Sequence, residues 1–307
     1  MKISVIIPTY RRPQDLQRCL AALKQQHRIV DELLVVIRDT DEETSQFLAT
    51  FNLDGLPLTL VYVSVPGVIA ALNAGLTKFS GDLVAITDDD AAPHQDWLAK
   101  IEAWFLSDHK IAGVGGRDQQ LSDPGTQKIV GKVQWFGRVI GNHHLGVGEA
   151  REVDLLKGVN MSYRRTAIAG KLFDERLRGT GAQVHFELEF SLALKQAGWR
   201  LIYDPQILTD HYPAVRFDED CRYDFNELAW SNAVHNQTLS LLGYLSPLRR
   251  VAFLFWSILI GTQDAFGLIQ WWRFLPSQGE LATKKWLASL RGHWWGWRSW
   301  QNTPTSI

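Results

Sequence analysis

The sequence predicts an α/β fold in which helices flank a mostly parallel central sheet, followed by a C-terminal helical extension. Short apolar, β-branched runs alternate with segments whose apolar residues recur three and four positions apart, as on one face of a helix. The links between these segments are short, which favours right-handed crossovers between parallel strands. From Asp224 onward the pattern is helical throughout.

The predicted elements of the first part begin with an apolar run, Ile3–Ile7, that ends at Pro8 as a buried parallel strand does. Pro13 then begins a helix, a position that suits its fixed backbone angle. The remaining elements follow in this order: strand Leu33–Ile37, a helix whose capping box is Thr40 and Glu43, strand Leu58–Val63, helix Val68–Phe79, strand Leu83–Thr87, helix Trp97–Leu106 and strand Ile111–Val114.

The middle of the chain is Gly-rich and less regular. We expect a long loop over Gly137–Gly148 and a short strand and turn over Leu156–Ser162. A helix over Phe186–Ala197 is stopped by Gly198, and the strand after it, which begins at Leu201, ends at Pro205.

Composition excludes several classes of protein. The 307 residues are 46% hydrophobic and 21% charged, with a net charge of −1, as in an ordinary globular protein and unlike a disordered or collagen-like chain. The near-zero net charge argues against a nucleic-acid partner. Two cysteines, Cys19 and Cys221, make no disulfide framework, and Met1 leads directly into a strand without a signal-peptide pattern. We therefore expect a cytoplasmic protein.

Three polar clusters follow the ends of predicted strands: Thr9–Arg12, Arg38–Asp41 and Asp88–Asp90. Ligands of parallel sheets bind beyond the carboxyl ends of the strands, so we expect the three clusters along one edge of the sheet.

Three consecutive aspartates at a strand end are costly, because each ionised neighbour raises the free energy of the next. A divalent cation offsets that cost directly. Asp88 and Asp90 point the same way in an extended segment, and such oxygen ligands suit Mg²⁺ or Mn²⁺ that also carries a phosphate. The alternative is a solvated acidic turn that caps the next helix.

With these motifs, the sequence resembles the family 2 glycosyltransferases, enzymes with the Rossmann-like GT-A nucleotide-sugar-binding fold. The matching motifs run from about residue 3 to 212 and are ordered as in the family: Val5–Arg12 (VIIPTYRR), Leu72–Leu76 (LNAGL), Ser80–Asp82 (SGD), Ile86–Asp90 (ITDDD), Lys157–Arg164 (KGVNMSYR) and Phe186–Leu192 (FELEFSL).

The resemblance implies a set of residues around a nucleotide-sugar donor. They are Pro8, Thr9, Tyr10, Arg12, Asp39, Asn73, Asp88 and Asp89. The family's second strand usually ends in an Asp that bonds the base. This chain has Ile37 and Arg38 there, so Asp39, or else Asp41, takes that place after a slip of one or two residues, with helix capping as the alternative role.

The resemblance also places a metal ion and a base. Asp90 would ligate a Mg²⁺ or Mn²⁺ ion that bridges the donor diphosphate, with Asp88 and His211 beside it. Glu187 stands where the family has its general base, usually an Asp in an acidic pair. The alternatives are a structural histidine at 211 and, at 187, an acid favoured by the helix N-terminus.

By analogy with the family, residues 1–115 form the nucleotide-sugar half, 116–215 the acceptor and catalytic half, and 216–307 the helical extension. The residues that we expect at the acceptor are Asn160, Ser162, Arg164, His143 and His144. Family enzymes invert the sugar in one displacement and use UDP-sugars among their donors. We expect a growing glycan or a lipid-linked sugar as acceptor, in polysaccharide or cell-envelope biosynthesis.

The C-terminal extension differs chemically from the rest of the chain. It holds eight of the 13 tryptophans, between Trp256 and Trp300. Val251–Ile269 is mostly apolar, but Gln263 and Asp264 interrupt it, and a spanning helix needs about 20 apolar residues. Basic and aromatic residues mix as they do in interfacial segments. A peripheral contact with the inner face of the membrane, a lid and a homodimer surface all remain open.

Two other functions fit parts of the sequence. A catalytically inactive scaffold that binds glycan or membrane would explain why Glu187 and Asp39 depart from the family pattern. A sugar nucleotidyltransferase would need a Gly-rich loop after the first strand, and Pro8–Pro13 contains no glycine.

Overall fold

The computed structural model describes residues 1–53, 55–120, 125–219 and 224–302. Cys221 lies outside these ranges, and Cys19 is buried. The chain forms two compact units. The first comprises residues 1–132, 140–173 and 190–214, and the second residues 133–139, 174–189 and 215–307. The division into a nucleotide-sugar half, an acceptor half and a helical extension stays a prediction.

The described strands are, in chain order, β1 Ile3–Thr9, β2 Glu32–Arg38, β3 Leu58–Val63, β4 Leu83–Ile86, β5 Ala91–Pro93, β6 Ile111–Gln119, β7 Lys132–Val133, β8 Val139–Ile140, β9 Arg151–Glu152, β10 Met161–Arg164 and β11 Arg200–His211. Nine of them form one sheet in the order β3-β2-β1-β4-β10-β6-β11-β5, with β9 beside β11. The pairs from β3 to β4 and the pair β6–β11 are parallel, whereas β10 is antiparallel to both neighbours. The predicted α/β class is confirmed.

The described helices are α1 Pro13–Lys24, α2 Glu42–Thr50, α3 Val68–Lys78, α4 Trp97–Ser107, α5 Arg165–Ile168, α6 Phe186–Gln196, α7 Glu227–Tyr244, α8 Pro247–Leu259, α9 Leu268–Gln278 and α10 Glu280–Gln301. A single 3₁₀ turn, His143–Leu145, and the β7–β8 hairpin interrupt the loop that was expected at 137–148.

Successive side chains of a strand point to opposite faces, and the core of the first unit follows that period. Val5 and Ile7 of β1 are buried in one cluster with apolar residues of α1, α2 and α4. Ile6 points to the other face, where α3 packs so closely that a Cβ on Gly75 would lie 2.8 Å from Ile6 Cγ2.

Two local predictions were wrong. Helix α2 is capped by Asp41, whose carboxylate accepts a hydrogen bond from the Thr44 N–H, and not by a Thr40–Glu43 box. Strand β11 does not end at Pro205 but continues to His211, with a shift of register between Asp204 and Leu208. An irregular stretch tolerates a residue that has no N–H to donate, and the extension delivers His211 to the end of the strand beside β5.

The second unit is mainly helical, and α7 packs against α10 through small residues. A Cβ on Gly292 would lie 2.6 Å from Ser231 O, and one on Gly296 would lie 2.6 Å from Thr238 Cβ. Within the described ranges, none of the helices is both long enough and apolar enough to cross a membrane.

Candidate active site

The site is built where β1, β4 and β11 of the first unit end. Thr9 ends β1, Asp88, Asp89 and Asp90 follow β4 directly, and His211 ends β11. β1 and β4 are parallel neighbours, so their carboxyl ends meet at one edge. His211 pairs with Ala91, next to Asp90, through the antiparallel β5–β11 ladder. The predicted convergence of Thr9 and the aspartates is thus present.

Asp89 is buried and holds the turn after β1. Its carboxylate accepts hydrogen bonds from the Thr9 hydroxyl, 2.7 Å from Oδ2, and from Arg12 Nη1, 2.8 Å from Oδ1. Burial raises the pKa of Asp89 to about 7, against the opposing effect of the Arg12 guanidinium. Both carboxylate oxygens are therefore engaged within the protein, and Asp89 positions Arg12.

The carboxylates of Asp88 and Asp90 and the ring of His211 each offer an atom that lies within 4.8 Å of the other two. Asp90 Oδ1 lies 3.4 Å from His211 Nε2, and Asp90 Oδ2 accepts a hydrogen bond of 2.9 Å from the Ala214 N–H. Burial would raise the pKa of Asp90, but His211 and the Ala214 N–H lower it to about 2.

The ring of His211 lies between two carboxylates, because its Nδ1 lies 3.6 Å from Asp118 Oδ2. Burial alone would lower the pKa of His211, but Asp118 and Asp90 raise it to about 9. Within the described part of the chain, the buried Nε2 has no hydrogen-bond partner. A ring nitrogen held next to two carboxylates, with its second nitrogen beside another acid, is the arrangement of a metal-ligating histidine. These residues therefore fit a divalent cation.

Asp118 was missed by the sequence analysis. Strand β6 was expected to end at Val114 but continues to Gln119, which places Asp118 beside β11. The usable signal is Gly115-Gly116 immediately before Arg117-Asp118. A Cβ on Gly116 would lie 1.9 Å from Ile207 O, so only glycine allows this close approach of the two strands.

The polar cluster after β2, Arg38–Asp41, lies near Tyr10 and Arg11 of the turn after β1. The guanidinium of Arg38 lies 3.8 Å from the centre of the Tyr10 ring. Asp39 is exposed, and Asp41 is buried, where it caps α2 and accepts a hydrogen bond of 2.6 Å from the Arg11 N–H. Asp41 thus has the capping role, and base recognition by Asp39 stays a prediction.

Two other residues that we expect at the donor, Pro8 and Asn73, lie within β1 and α3. Pro8 is half-buried within β1. Asn73 is buried in α3, where its amide exchanges two hydrogen bonds with the main chain of Phe173, of 2.9 and 2.8 Å. The structure gives Asn73 a positioning contact, and a donor contact for it stays a prediction.

Glu187 lies in the second unit, buried in the first turn of α6. The turn before it contains two non-glycine residues with left-handed backbone, Gln183 at φ 43° and His185 at φ 76°. Such strain costs about 1–3 kcal/mol per residue and persists where the surroundings fix it, commonly at functional sites. Glu189, two positions further along α6, accepts a hydrogen bond from the Tyr244 hydroxyl.

Four of the residues expected at the acceptor pack within the fold. Asn160 is fully buried and bonds the Trp97 ring N–H at 2.9 Å and Ile207 O at 3.0 Å. Ser162 is fully buried in the middle of the sheet. Arg164 donates to three main-chain carbonyls, and His143 is buried against Tyr203 and Leu155 O. The polar groups of Asn160, Arg164 and His143 are therefore bonded inside the fold, whereas the buried Ser162 Oγ has no hydrogen-bond partner among the described residues. An acceptor contact for these four residues stays a prediction. His144 is half-buried, and its role stays a prediction.

Comparison with known proteins relates this geometry to one family. The model of the family described as "Glycosyl transferase family 2" matches residues 4–168, more than half of the chain. The glycosyltransferase AglE of Haloferax volcanii is 34% identical over 102 residues, which is 32% of this chain and 33% of AglE. The chain therefore matches only about a third of that relative's length.

A second relative in Haloferax volcanii, a glucosyl-dolichyl phosphate glucuronosyltransferase, is 25% identical over 224 residues, 69% of each chain. Among solved structures, Staphylococcus aureus TarS in complex with UDP-GlcNAc superposes with a TM-score of 0.61 at 15% identity, covering 94% of this chain and 80% of TarS. At that identity the structural likeness shows the fold.

Proposed function

Because the chain belongs to glycosyl transferase family 2, we propose that it transfers a sugar from a nucleoside diphosphate-sugar, with UDP-sugar favoured, to a hydroxyl of a glycan or lipid-linked acceptor, inverting the anomeric carbon. The observation that carries the proposal is the group of Asp88, Asp90 and His211 at the carboxyl ends of the sheet, where this class of fold binds ligands. The UDP-GlcNAc bound by the TarS neighbour supports the choice of donor class.

Asp88, Asp90 and His211 would hold a Mg²⁺ or Mn²⁺ ion. A cation bound there supplies positive charge against the negative charge that develops on the departing diphosphate. Arg12 adds a second positive charge at the same edge. Its guanidinium is held by Asp89 and lies 4.0 Å from Asp90, and these carboxylates raise its pKa although burial opposes them, so it stays protonated. We propose that Arg12 binds donor phosphate.

Glu187 is the proposed general base. It takes the proton from the acceptor hydroxyl while that oxygen forms a bond to the anomeric carbon and the bond from this carbon to the diphosphate oxygen breaks. Support comes from its burial among Phe186 and Leu188 in the first turn of α6, after the strained turn that fixes where the helix begins.

The proposed acceptor is a growing glycan or a sugar on a lipid carrier, in polysaccharide or cell-envelope biosynthesis. The dolichyl phosphate-linked substrate in the name of the second relative supports the lipid-linked form. We include in the proposal that the segment 216–307 brings the protein to the membrane surface.

A melting experiment tests the donor half of the proposal. The melting temperature is measured with UDP, GDP and TDP and their sugars, with and without Mn²⁺, because a ligand that binds the native state raises it by mass action. We expect a Mn²⁺-dependent rise with a uridine nucleotide that is absent in Asp90→Asn. The matched control Asp96→Asn removes an exposed carboxylate paired with Lys100 and should keep the rise. A folded protein that responds to none of these ligands contradicts the proposal.

A further inference from the structure

Helices α8 and α9 expose an unusual amount of apolar surface. Of the 22 large apolar side chains exposed in the described ranges, nine lie between residues 248 and 272. They are Leu248, Val251, Phe255, Ile258, Leu259, Ile260, Leu268, Ile269 and Trp272. We call these nine residues the α8–α9 face. Scattered exposed apolar residues are normal on proteins, whereas a concentration of this kind marks a binding surface.

On α8 the exposed residues form one stripe. Leu248, Val251, Phe255 and Ile258 are spaced by three, four and three positions, which places them on the same side of a helix. The opposite side is buried, and there Phe253 packs so closely on Gly137 that a Cβ at that glycine would lie 2.5 Å from the ring. One apolar side of the helix is therefore used in packing, and a second apolar side is left uncovered by the described chain.

On α9 the aromatic residues divide in the same way. Trp271 stacks on Trp286 with ring centroids 5.2 Å apart, and Phe274 stacks on Phe266 at 5.4 Å. Trp272 points away from these contacts and is 74% exposed. Trp272 therefore lies exposed together with Leu268 and Ile269.

The charges of the two helices are all of one sign. Arg249 and Arg250 lie on α8 and Arg273 on α9, and the sequence of these two helices contains no Asp or Glu. Arg249 donates to the main-chain oxygens of Gln134 and Trp135, which holds its guanidinium near another exposed tryptophan, Trp135. Apolar residues flanked by arginines complement a surface that is both apolar and anionic.

From this combination we infer that the α8–α9 face binds anionic lipid membranes, with α8 and α9 lying in the interface and Phe255 and Trp272 inserted among the acyl chains. α8 has 13 residues, too few to span a bilayer, as an in-plane helix allows. A second copy of the chain fits the face less well. A symmetric dimer would bring the arginines of one copy against those of the other. The inference rests on the membrane contact and the lipid-linked acceptor of the proposed function, and it assigns that contact to the α8–α9 face and to anionic lipid.

Vesicle sedimentation tests the inference without any need for activity, so its outcome is separate from that of the donor experiment. The full chain is mixed with vesicles of phosphatidylcholine alone or with about one third phosphatidylglycerol. We expect binding to the anionic vesicles that falls at least tenfold in the double variant Phe255→Ser, Trp272→Ser. The matched control Leu106→Ser removes an equally exposed side chain, 68% against 66% for Phe255, from α4 of the other unit and should bind like the wild type.

Two outcomes would overturn the inference: the wild type binds no anionic vesicles, or the double variant binds them as well as the wild type does. If vesicle binding is absent and the double variant changes a dimer into a monomer, the face instead binds a second copy of the chain. Because the substituted side chains are exposed, folding of each variant is confirmed by its melting temperature.

Discussion

The acid cluster at the ends of β1, β4 and β11 and the interior between α7 and α10 both bury polar side chains, but they bury different kinds. The cluster buries charged groups: Asp89, Asp90 and Asp118 are each about 1% exposed, with His211 between two of them. The helical interior buries neutral ones. His235, for example, bonds the side chains of Asn236 and Ser299 through its two ring nitrogens, both at 2.9 Å.

The difference separates a structural from a functional use of buried polarity. Burying like charges together is expensive unless opposite charges compensate. Arg12 and His211, whose pKa is raised to about 9, face four carboxylates, those of Asp88, Asp89, Asp90 and Asp118. The helical interior avoids that cost, because burial lowers the pKa values of His235 and His293 to about 4 and keeps both rings neutral. A cluster of carboxylates that the fold compensates only in part is consistent with the cation and the donor diphosphate that we propose.

The largest effect is expected from the two buried glutamates of α6. Glu187→Gln should reduce kcat roughly 10³-fold, within the usual range for a general base, and leave nucleotide binding unchanged. The matched control is Glu189→Gln, two positions along the helix, whose carboxylate already accepts a hydrogen bond from Tyr244. Steady-state kinetics and melting shifts measure both effects. Loss of turnover in Glu189→Gln alone would show that Glu189, and not Glu187, is the base.

Acid should destabilise the helical interior through its histidines. An unfolded His binds a proton below about pH 6.5, whereas folded His293 does so only near pH 4, so stability falls as the pH drops between these values. The cost is on the order of 3 kcal/mol for this residue. His293→Asn keeps a donor for the Thr238 hydroxyl, 2.8 Å away in the wild type, but cannot gain charge.

Urea unfolding at pH 7 and pH 4 measures this effect. The free energy of unfolding should fall less in His293→Asn than in the wild type. An equal fall in the free energy of unfolding in both proteins would show that protonation of His293 does not contribute to the acid sensitivity.

A weaker effect is expected at Asp118, which lies beside His211 but is not one of the three proposed ligands. Asp118→Asn should lower Mn²⁺ affinity by about 10–100-fold, the usual cost of losing such a partner. Asp210→Asn is the control, since Asp210 adjoins His211 on the same strand but pairs with His94 at 3.2 Å. Calorimetric titration with Mn²⁺ compares them, and equal affinities in both variants would remove Asp118 from the site.

The smallest effects concern two glycines of the helical unit. Gly292→Ala should destabilise the protein by about 1–2 kcal/mol, since its Cβ would meet Ser231 O and Val234. Gly243→Ala, near the end of α7 with no atom within 4 Å of its Cβ, should stabilise by up to about 1 kcal/mol. Urea unfolding gives both values. Opposite signs support tight packing of α7 on α10, and a stabilising Gly292→Ala contradicts it.

Much of the fold could be predicted from the sequence because its signals are local. Apolar period and strand-end polarity predicted β1 to β4 within one or two residues, and the sequence placed Asp88, Asp90 and His211 in one candidate cation site. Asp118 and the acceptor residues depended on tertiary structure. The sequence could not show that β6 continues past Val114, or that Asn160 is buried just before β10 with its amide bonded to Trp97 and Ile207. The direction of a polar side chain is set by packing between distant segments, not by its own motif.

The most direct test of the acid cluster is a Mn²⁺ titration of the protein followed by electron paramagnetic resonance, with and without UDP. A titration of UDP in the absence of protein is the blank. We expect one Mn²⁺ per chain in the wild type, affinity reduced roughly 100-fold or more in Asp90→Asn, and no change in His293→Asn, which alters the helical interior instead. A wild type that binds no Mn²⁺ even with UDP, or an Asp90→Asn variant that binds it equally well, would show that the buried charges at the end of the sheet do not form a cation site.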